Sequence, residues 1–172
     1  MNIEIEKKYR IENYEKAQNK IEAMGATLEK TKITNDRYFE VPQKIARTKY
    51  LRIRFNDQAE NGTLAYHEVI DDLQTKEWEI EVDKADIAQQ ILEKLGFQPE
   101  VDVKKERVKY SFENSEILLD KVEDLGAFIE IEAPNLQILN KIAGELELKE
   151  ENLVSGLGYP DLIKEQNERT IK

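Results

Sequence analysis

Charged side chains recur at every second residue in several separate stretches of this chain, and few folds can satisfy that pattern. Side chains alternate between the two faces of a strand. In Ile3-Glu4-Ile5-Glu6-Lys7-Lys8, therefore, Ile3 and Ile5 fall on one face and Glu4, Glu6 and Lys8 on the other. The same period gives Leu51, Ile53 and Phe55 opposite Arg52 and Arg54, and Trp78, Ile80 and Val82 opposite Glu77, Glu79 and Glu81. Lys105 and Arg107 share a face with Val101 and Val103, and Phe128 alternates into Glu130 and Glu132. Asp36 and Tyr38 share a face, and Asp120 lies near the end of its strand. An ordinary half-buried strand turns such charges to water, which makes an open sheet backed by helices one reading. The other follows from the signs, which segregate by strand, and from the arginines, whose planar forks suit phosphate oxygens. If the sheet curls into a barrel, these faces line its inside. An interior so charged must pair its charges or bind something. A water-filled tunnel holding a polyanion and a divalent metal meets that requirement, with Arg and Lys on phosphate and Glu and Asp on the metal.

The rest of the sequence supplies the frame. Its 172 residues suit a single domain, residues 1–172, with a core of useful size. There is no cysteine, hence no disulfide or thiolate ligand. No apolar run approaches the roughly 18 residues of a membrane span, and no signal-like h-region precedes the first strand. A cytoplasmic protein is expected. A net charge of -10 with 36% charged residues argues against nucleic-acid or acidic-membrane partners, though not against a small anion.

Asn13 is expected to cap a helix reaching Met24, with Gly25 as its stop. A strand from Lys32 to Phe39 follows, ended by Val41-Pro42-Gln43. Asn61-Gly62 reads as a hairpin turn before a strand from Thr63 to Val69. After the acidic strand Lys76–Val82, Asp83 or Asp86 is expected to cap a helix whose core stripe is Ile87, Ile91, Leu92 and Leu95. A long strand, 101–112, turns at Glu113-Asn114-Ser115 into the strand 116–122. Asp124-Leu125-Gly126 turns into the strand 127–133, and a helix spans 136–146. Residues 161–172 read as a short polar helix or a frayed tail. The run from Ile3-Glu4-Ile5-Glu6 to Met24-Gly25 is echoed from Trp78-Glu79-Ile80-Glu81 to Leu95-Gly96, which suggests two similar β–α–β halves.

These motifs resemble the CYTH superfamily of triphosphate tunnel metalloenzymes. The likeness begins at Glu4-x-Glu6-x-Lys8 and runs through Asp36-Arg37-Tyr38-Phe39, Leu51-Arg52-Ile53-Arg54 and Glu77-Trp78-Glu79. It continues in Val103-Lys104-Lys105-Glu106-Arg107 and in Leu119 to Glu132, the last two segments looking most like class IV adenylate cyclases. Tyr159-Pro160-Asp161-Leu162 is similar to a C-terminal motif. The resemblance implies an α+β fold, an eight-stranded antiparallel barrel with flanking helices. It implies that Lys8, Arg52, Arg54, Lys105 and Arg107 bind the triphosphate, and that Mg²⁺ or Mn²⁺ is held by Glu4, Glu6, Glu130 and Glu132 with Asp120, Glu77 and Glu79. Glu81 shares their face outside the motif. Glu4, Glu6, Tyr38 and His67 stand as catalytic candidates, and His67 also as a substrate-binding one. The hairpin that reads like L-T-Y-K in the family is Leu64-Ala65-Tyr66-His67 here, so the lysine is replaced by the chain's one histidine. That disfavours thiamine triphosphatase activity, in which the lysine is thought to work with a tyrosine at the position of Tyr38. His67 is read either as a satisfied or exposed histidine or as a substrate-facing group titrating near pH ~6.5. Three functions follow: a cyclase converting ATP to cyclic AMP and pyrophosphate, a triphosphatase, or a non-catalytic polyphosphate or nucleotide sensor. The protein is expected to be a monomer or homodimer.

Overall fold

The computed structural model describes residues 2–41, 49–154 and 156–170. Pro42 and Gln43, expected to end the second strand, lie outside these, as do Ile171 and Lys172 of the expected tail. In chain order the elements are β1 (Asn2–Ile11), α1 (Tyr14–Ala23), β2 (Thr27–Phe39), β3 (Lys49–Asn56), β4 (Gly62–Val69), β5 (Gln74–Val82) and α2 (Ala85–Lys94). Then come β6 (Pro99–Phe112), β7 (Ser115–Val122), β8 (Gly126–Glu132), α3 (Leu136–Glu145), β9 (Leu153–Val154) and α4 (Tyr159–Thr170).

Eight antiparallel strands hydrogen-bond in a closed ring in the order β5-β4-β3-β2-β6-β7-β8-β1, and β1 returns to pair with β5. The α+β expectation and the eight-stranded antiparallel sheet are therefore met. Closure is short on one side: residues 2–5 of β1 pair with residues 74–77 of β5, while residues 6–11 pair with β8. The two-residue β9 lies against Lys8 and Tyr9 of β1. The echoed segments are β1–α1–β2 and β5–α2–β6, and each helix is followed by a glycine in the left-handed region, Gly25 at φ 84° and Gly96 at φ 97°.

Period two divides the ring as the charges suggested. Outward side chains of β1, β6, β7 and β8, among them Tyr9, Tyr110, Ile117, Leu119, Ile129 and Ile131, pack under Ala17 and Ile21 of α1 and Leu139 and Ile142 of α3. Burying each large side chain of this kind contributes about 1.5–3 kcal/mol. Asn13 and Asn135 cap α1 and α3, accepting from the amides of Lys16 and Ile138. A third cluster sets α2 on Phe39 and Ile53. Inward, Tyr38, Val103, Val122 and Phe128 meet Tyr159 and Leu162 of α4, which fills one end of the ring.

Three expectations need correction. The α2 stripe is Ala85, Ala88 and Leu92, whose small side chains let the helix lie close on β3 and β4; Ile87, Ile91 and Leu95 are 43%, 54% and 70% exposed. Neither Asp83 nor Asp86 caps α2: the cap position is Lys84, with no side-chain bond, and the Ala85 amide donates to the Glu60 carbonyl at 2.9 Å. Gly62 is not a turn residue. It pairs with Phe55 inside β4, where an added Cβ would sit 2.0 Å from the Arg54 carbonyl oxygen; the reversal occupies residues 57–61, with Gln58 at φ 57°. Of the two readings of the C-terminal residues, the helix holds over the described ones: α4 is anchored by the buried Tyr159 and Leu162. The turn expected at Glu113-Asn114-Ser115 is present but shorter: Glu113 (φ 46°) and Asn114 (φ 58°) form a two-residue hairpin with both centres left-handed, and Ser115 already pairs with Phe112 as the first residue of β7. No described helix is long and apolar enough to cross a membrane.

Candidate active site

Antiparallel register places acids and bases from neighbouring strands side by side inside the ring. Asp36 lies opposite Arg54, Lys8 opposite Glu130, Arg107 opposite Asp120, and His67 opposite Glu77. Each of these cross-strand neighbours becomes a contact. Asp36, wholly buried, accepts from Arg54 Nε at 2.7 Å and Nη2 at 2.8 Å, with Lys105 Nζ at 3.3 Å and Arg52 Nη1 at 3.7 Å. Arg52 Nη2 also donates to Glu79 at 2.9 Å. Asp120 accepts from Arg107 at 2.7 and 2.6 Å and from the Tyr159 hydroxyl at 2.8 Å. Glu130 contacts Arg107 and lies 3.1 Å from Lys8 Nζ. His67 Nε2 lies 2.8 Å from Glu77 Oε1.

Among the described residues, two neighbouring cavities lie inside the ring. One, of about 130 Å³, is lined by Glu4, Glu6, Lys8, Tyr38, His67 and Glu130 among others. The second, of about 300 Å³, is lined by Arg54, Glu79 and Glu81. Both are walled by Glu4, Arg52, Glu77, Lys105, Arg107 and Glu132, so these residues mark the shared centre. Of the residues singled out in the sequence, Asp36 and Asp120 line neither cavity; they lie fully buried behind the wall, holding the cations that do.

Of the expected metal-binding carboxylates, Glu4, Glu6 and Glu132 bring one oxygen each to within 4.8 Å of one another. Glu77 and Glu79 face His67 and Arg52, and Asp120 and Glu130 are engaged by Arg107. Burial and neighbouring carboxylates raise the proton affinity of two of the three. Burial, then the Glu130 charge, lifts Glu6 to about 7. Burial, then Glu130 and Glu4, lifts Glu132 to about 9. A divalent cation relieves this repulsion, and hard oxygen donors suit Mg²⁺ or Mn²⁺, so this donor set fits the metal. Burial alone would also raise Glu130, but Lys8 and Arg107 outweigh it and hold that group low. Lys105 is lowered to about 8 by burial and then by Arg107. Burial lowers His67, with Glu77 opposing and Arg52 adding to the effect.

Two supports escaped the sequence reading. The sequence pattern places Asp36 on a charged face but assigns it no role, whereas in the structure it gathers three phosphate-binding candidates, Arg52, Arg54 and Lys105. Tyr159 places its ring 4.4 Å from Lys8 Nζ and 5.0 Å from Lys105 Nζ, a cation–π arrangement. Its signal was the Tyr159-Pro160-Asp161-Leu162 motif.

The fold and site define a β-tunnel lined with bases and acids at whose centre carboxylates converge. The chain belongs to the CYTH domain family, whose profile matches residues 2–156. It is 30% identical over 133 residues to "Putative adenylate cyclase MJ0240" of Methanocaldococcus jannaschii, covering 76% of each chain. The structure of PH1012 from Pyrococcus horikoshii superposes with a TM-score of 0.84 at 32% identity, covering 92% of this chain and 98% of that one. The Hippeastrum protein HpAC1, described as having a dominant triphosphatase activity, shares the fold at a TM-score of 0.63 and 18% identity, over 86% of this chain and 89% of that one.

Proposed function

We propose that this protein is a divalent-metal-dependent enzyme acting on triphosphates in the tunnel, converting ATP to cyclic AMP and pyrophosphate. The observation that carries this reading is the juxtaposition of Glu4, Glu6 and Glu132 with Lys8, Arg52, Lys105 and Arg107 around one central cavity. The bases bind and orient the phosphate oxygens. Asp36, Asp120 and Glu130 hold those bases in place, so little reorganisation is needed when charge builds at phosphorus. Glu4, Glu6 and Glu132 would hold the metal, which when bound neutralises phosphate charge and lowers the proton affinity of an attacking oxygen. Tyr38 and His67 line the same cavity, where the neutral His67 would be a hydrogen-bonding partner for substrate. The cyclase assignment rests on the class IV resemblance and on the M. jannaschii relative, whose name carries that activity.

A second reading, hydrolysis of inorganic or organic triphosphates, is favoured by the small central cavity. Its 130 Å³ falls below the ~300–1,000 Å³ of most ligand pockets and suits a phosphate chain more than a nucleoside. Incubation with ATP and Mg²⁺ or Mn²⁺, with products resolved, separates the two: cyclic AMP and pyrophosphate, or ADP and phosphate. Metal-dependent binding without turnover of any triphosphate would leave only the sensor role.

A further inference from the structure

The outside of the ring carries a continuous apolar surface. α2 rests on the sheet through Ala85, Ala88 and Leu92. Gln89 accepts a hydrogen bond from Arg37 of β2 at 3.0 Å, so that side of the helix faces β2. At about 100° per residue, Ile87, Ile91 and Leu95 lie on the opposite side. With the strands in the order β5-β4-β3-β2, that side is turned toward β5 and solvent. The outer face of β5 continues the surface. Ile80 lies opposite Leu64, which packs beneath α2, and Trp78 lies opposite Tyr66, with ring centroids 5.8 Å apart. Trp78 and Ile80 are 39% and 61% exposed, and neither they nor the three α2 residues line the interior cavities.

Size and charge narrow what covers it. These five side chains leave on the order of 500 Å² in water, the scale of a functional patch, and a polar rim extends it toward the ~800 Å² that each partner gives a stable interface. An apolar centre that includes a tryptophan has the composition of an interface core. The rim charges are ordered along α2: Asp83 and Asp86 stand at its start and Lys94 in its last turn. The other rim lysines are matched within the chain, Lys84 at 3.9 Å from Glu60 and Lys76 opposite Glu68. A two-fold axis passing at Ile91 would set two copies of α2 antiparallel. The acidic start of each helix then meets the basic end of the other, with the macrodipoles opposed. The surface is complementary to itself.

We propose that the α2–β5 face joins two copies of this chain in a two-fold dimer, with antiparallel α2 helices crossing at Ile91. Such a dimer braces β5, the strand whose closure with β1 is limited to residues 74–77. Stability of the ring should then rise with protein concentration.

The test uses the chain's single tryptophan and its lack of cysteine. Sedimentation of unmutated protein between about 1 and 100 µM should show a dimer forming, with Trp78 emission moving to shorter wavelength in step. Ile91→Glu buries its charge twice in a two-fold dimer and should raise the dissociation constant about 100-fold or more. Ile33→Glu is the control: Ile33 is 56% exposed against 54% for Ile91, but lies on β2, and its variant should dimerise as before. Lys94→Asp should weaken the dimer about threefold, and Asp86→Lys/Lys94→Asp should restore it. Under mild oxidation Ile91→Cys should cross-link to itself and Ile33→Cys should not, a readout independent of how the Glu variants fold. A monomer throughout would overturn the proposal, and a monomer whose Trp78 emission shifts on phosphatidylcholine vesicles would give the surface to a membrane instead. A dimer that survives Ile91→Glu, or that Ile33→Glu dissociates, would overturn it by placing the interface elsewhere. Failure of the double charge reversal to restore Lys94→Asp would overturn the antiparallel arrangement.

Discussion

Asp36 accepts two hydrogen bonds from one guanidinium, that of Arg54, which lies directly opposite it on the neighbouring strand. The pair is bidentate and its acid is out of reach of water. Arg52 and Lys105 complete the surround, so one carboxylate fixes the positions of three bases lining the tunnel.

Replacing Asp36 with Asn should therefore strand buried cations. Loss of one partner from such a group costs about 3–5 kcal/mol, read as a lower midpoint in urea unfolding. Burial opposes ionisation of Asp36, but Lys105 and Arg54 outweigh it and hold its carboxyl well below the usual range. Its stabilising contribution is thus present above pH about 4 and lost as pH falls through the depressed value. The Asn variant should show a weaker acid-side decline than unmutated protein.

Glu132 works in the opposite sense. Its proton affinity is raised to about 9, so between pH about 4.5 and 9 the folded chain binds more protons than the unfolded one. Metal-free protein should lose stability as pH rises across that window. Glu132→Gln should flatten the decline, and Mg²⁺ should offset it in unmutated protein only. Turnover in Glu132→Gln should fall about 100-fold or more, with no loss of thermal stability at pH 8. Unchanged turnover would sink the metal assignment.

His67 should be neutral at pH 7, because burial and then Arg52 lower its proton affinity more than Glu77 raises it. KM for a triphosphate should then be flat from pH 7 to 8, and His67→Gln should leave that profile unchanged. His67→Lys supplies a fixed charge beside Glu77 and should lower KM about three- to tenfold. A KM that climbs from pH 7 to 8 and loses its slope in His67→Gln would show that the protonated imidazole binds phosphate.

Tyr159 offers a separable pair of roles. Tyr159→Phe removes the hydroxyl bond to Asp120 and should cost about 1–2 kcal/mol of stability with KM little changed. Tyr159→Leu also removes the ring beneath Lys8 and Lys105, and should raise KM beyond the Phe variant. Equal KM values in the two variants would exclude a positioning role for the ring.

Much of this architecture was legible because strand periodicity is a local property. The alternation of Glu4 and Glu6 with Ile3 and Ile5, or of Arg52 and Arg54 with Ile53, assigns faces without knowledge of the partner strand. The α2 stripe was misread for the complementary reason. Ile87, Ile91 and Leu95 lie at helical spacing and look like a core face, yet the side that docks is chosen by how closely Ala85 and Ala88 allow the helix to approach β3 and β4. Gly62 was likewise read as a turn from its Asn neighbour, although what demands glycine there is the Arg54 carbonyl across the sheet.

The order of acidic and basic residues along the chain determined which faces carry charge and hence that an enclosed sheet would need an anion and a cation to fill it. The closing of the ring decided the rest. Cross-strand register depends on contacts between residues as far apart as Lys8 and Glu130, and it is register that made Asp36 and Asp120 supports, gathered Glu4, Glu6 and Glu132 into one donor set, and turned the last helix into a plug bearing Tyr159. Local pattern fixes the side a residue faces; only long-range pairing fixes what it faces.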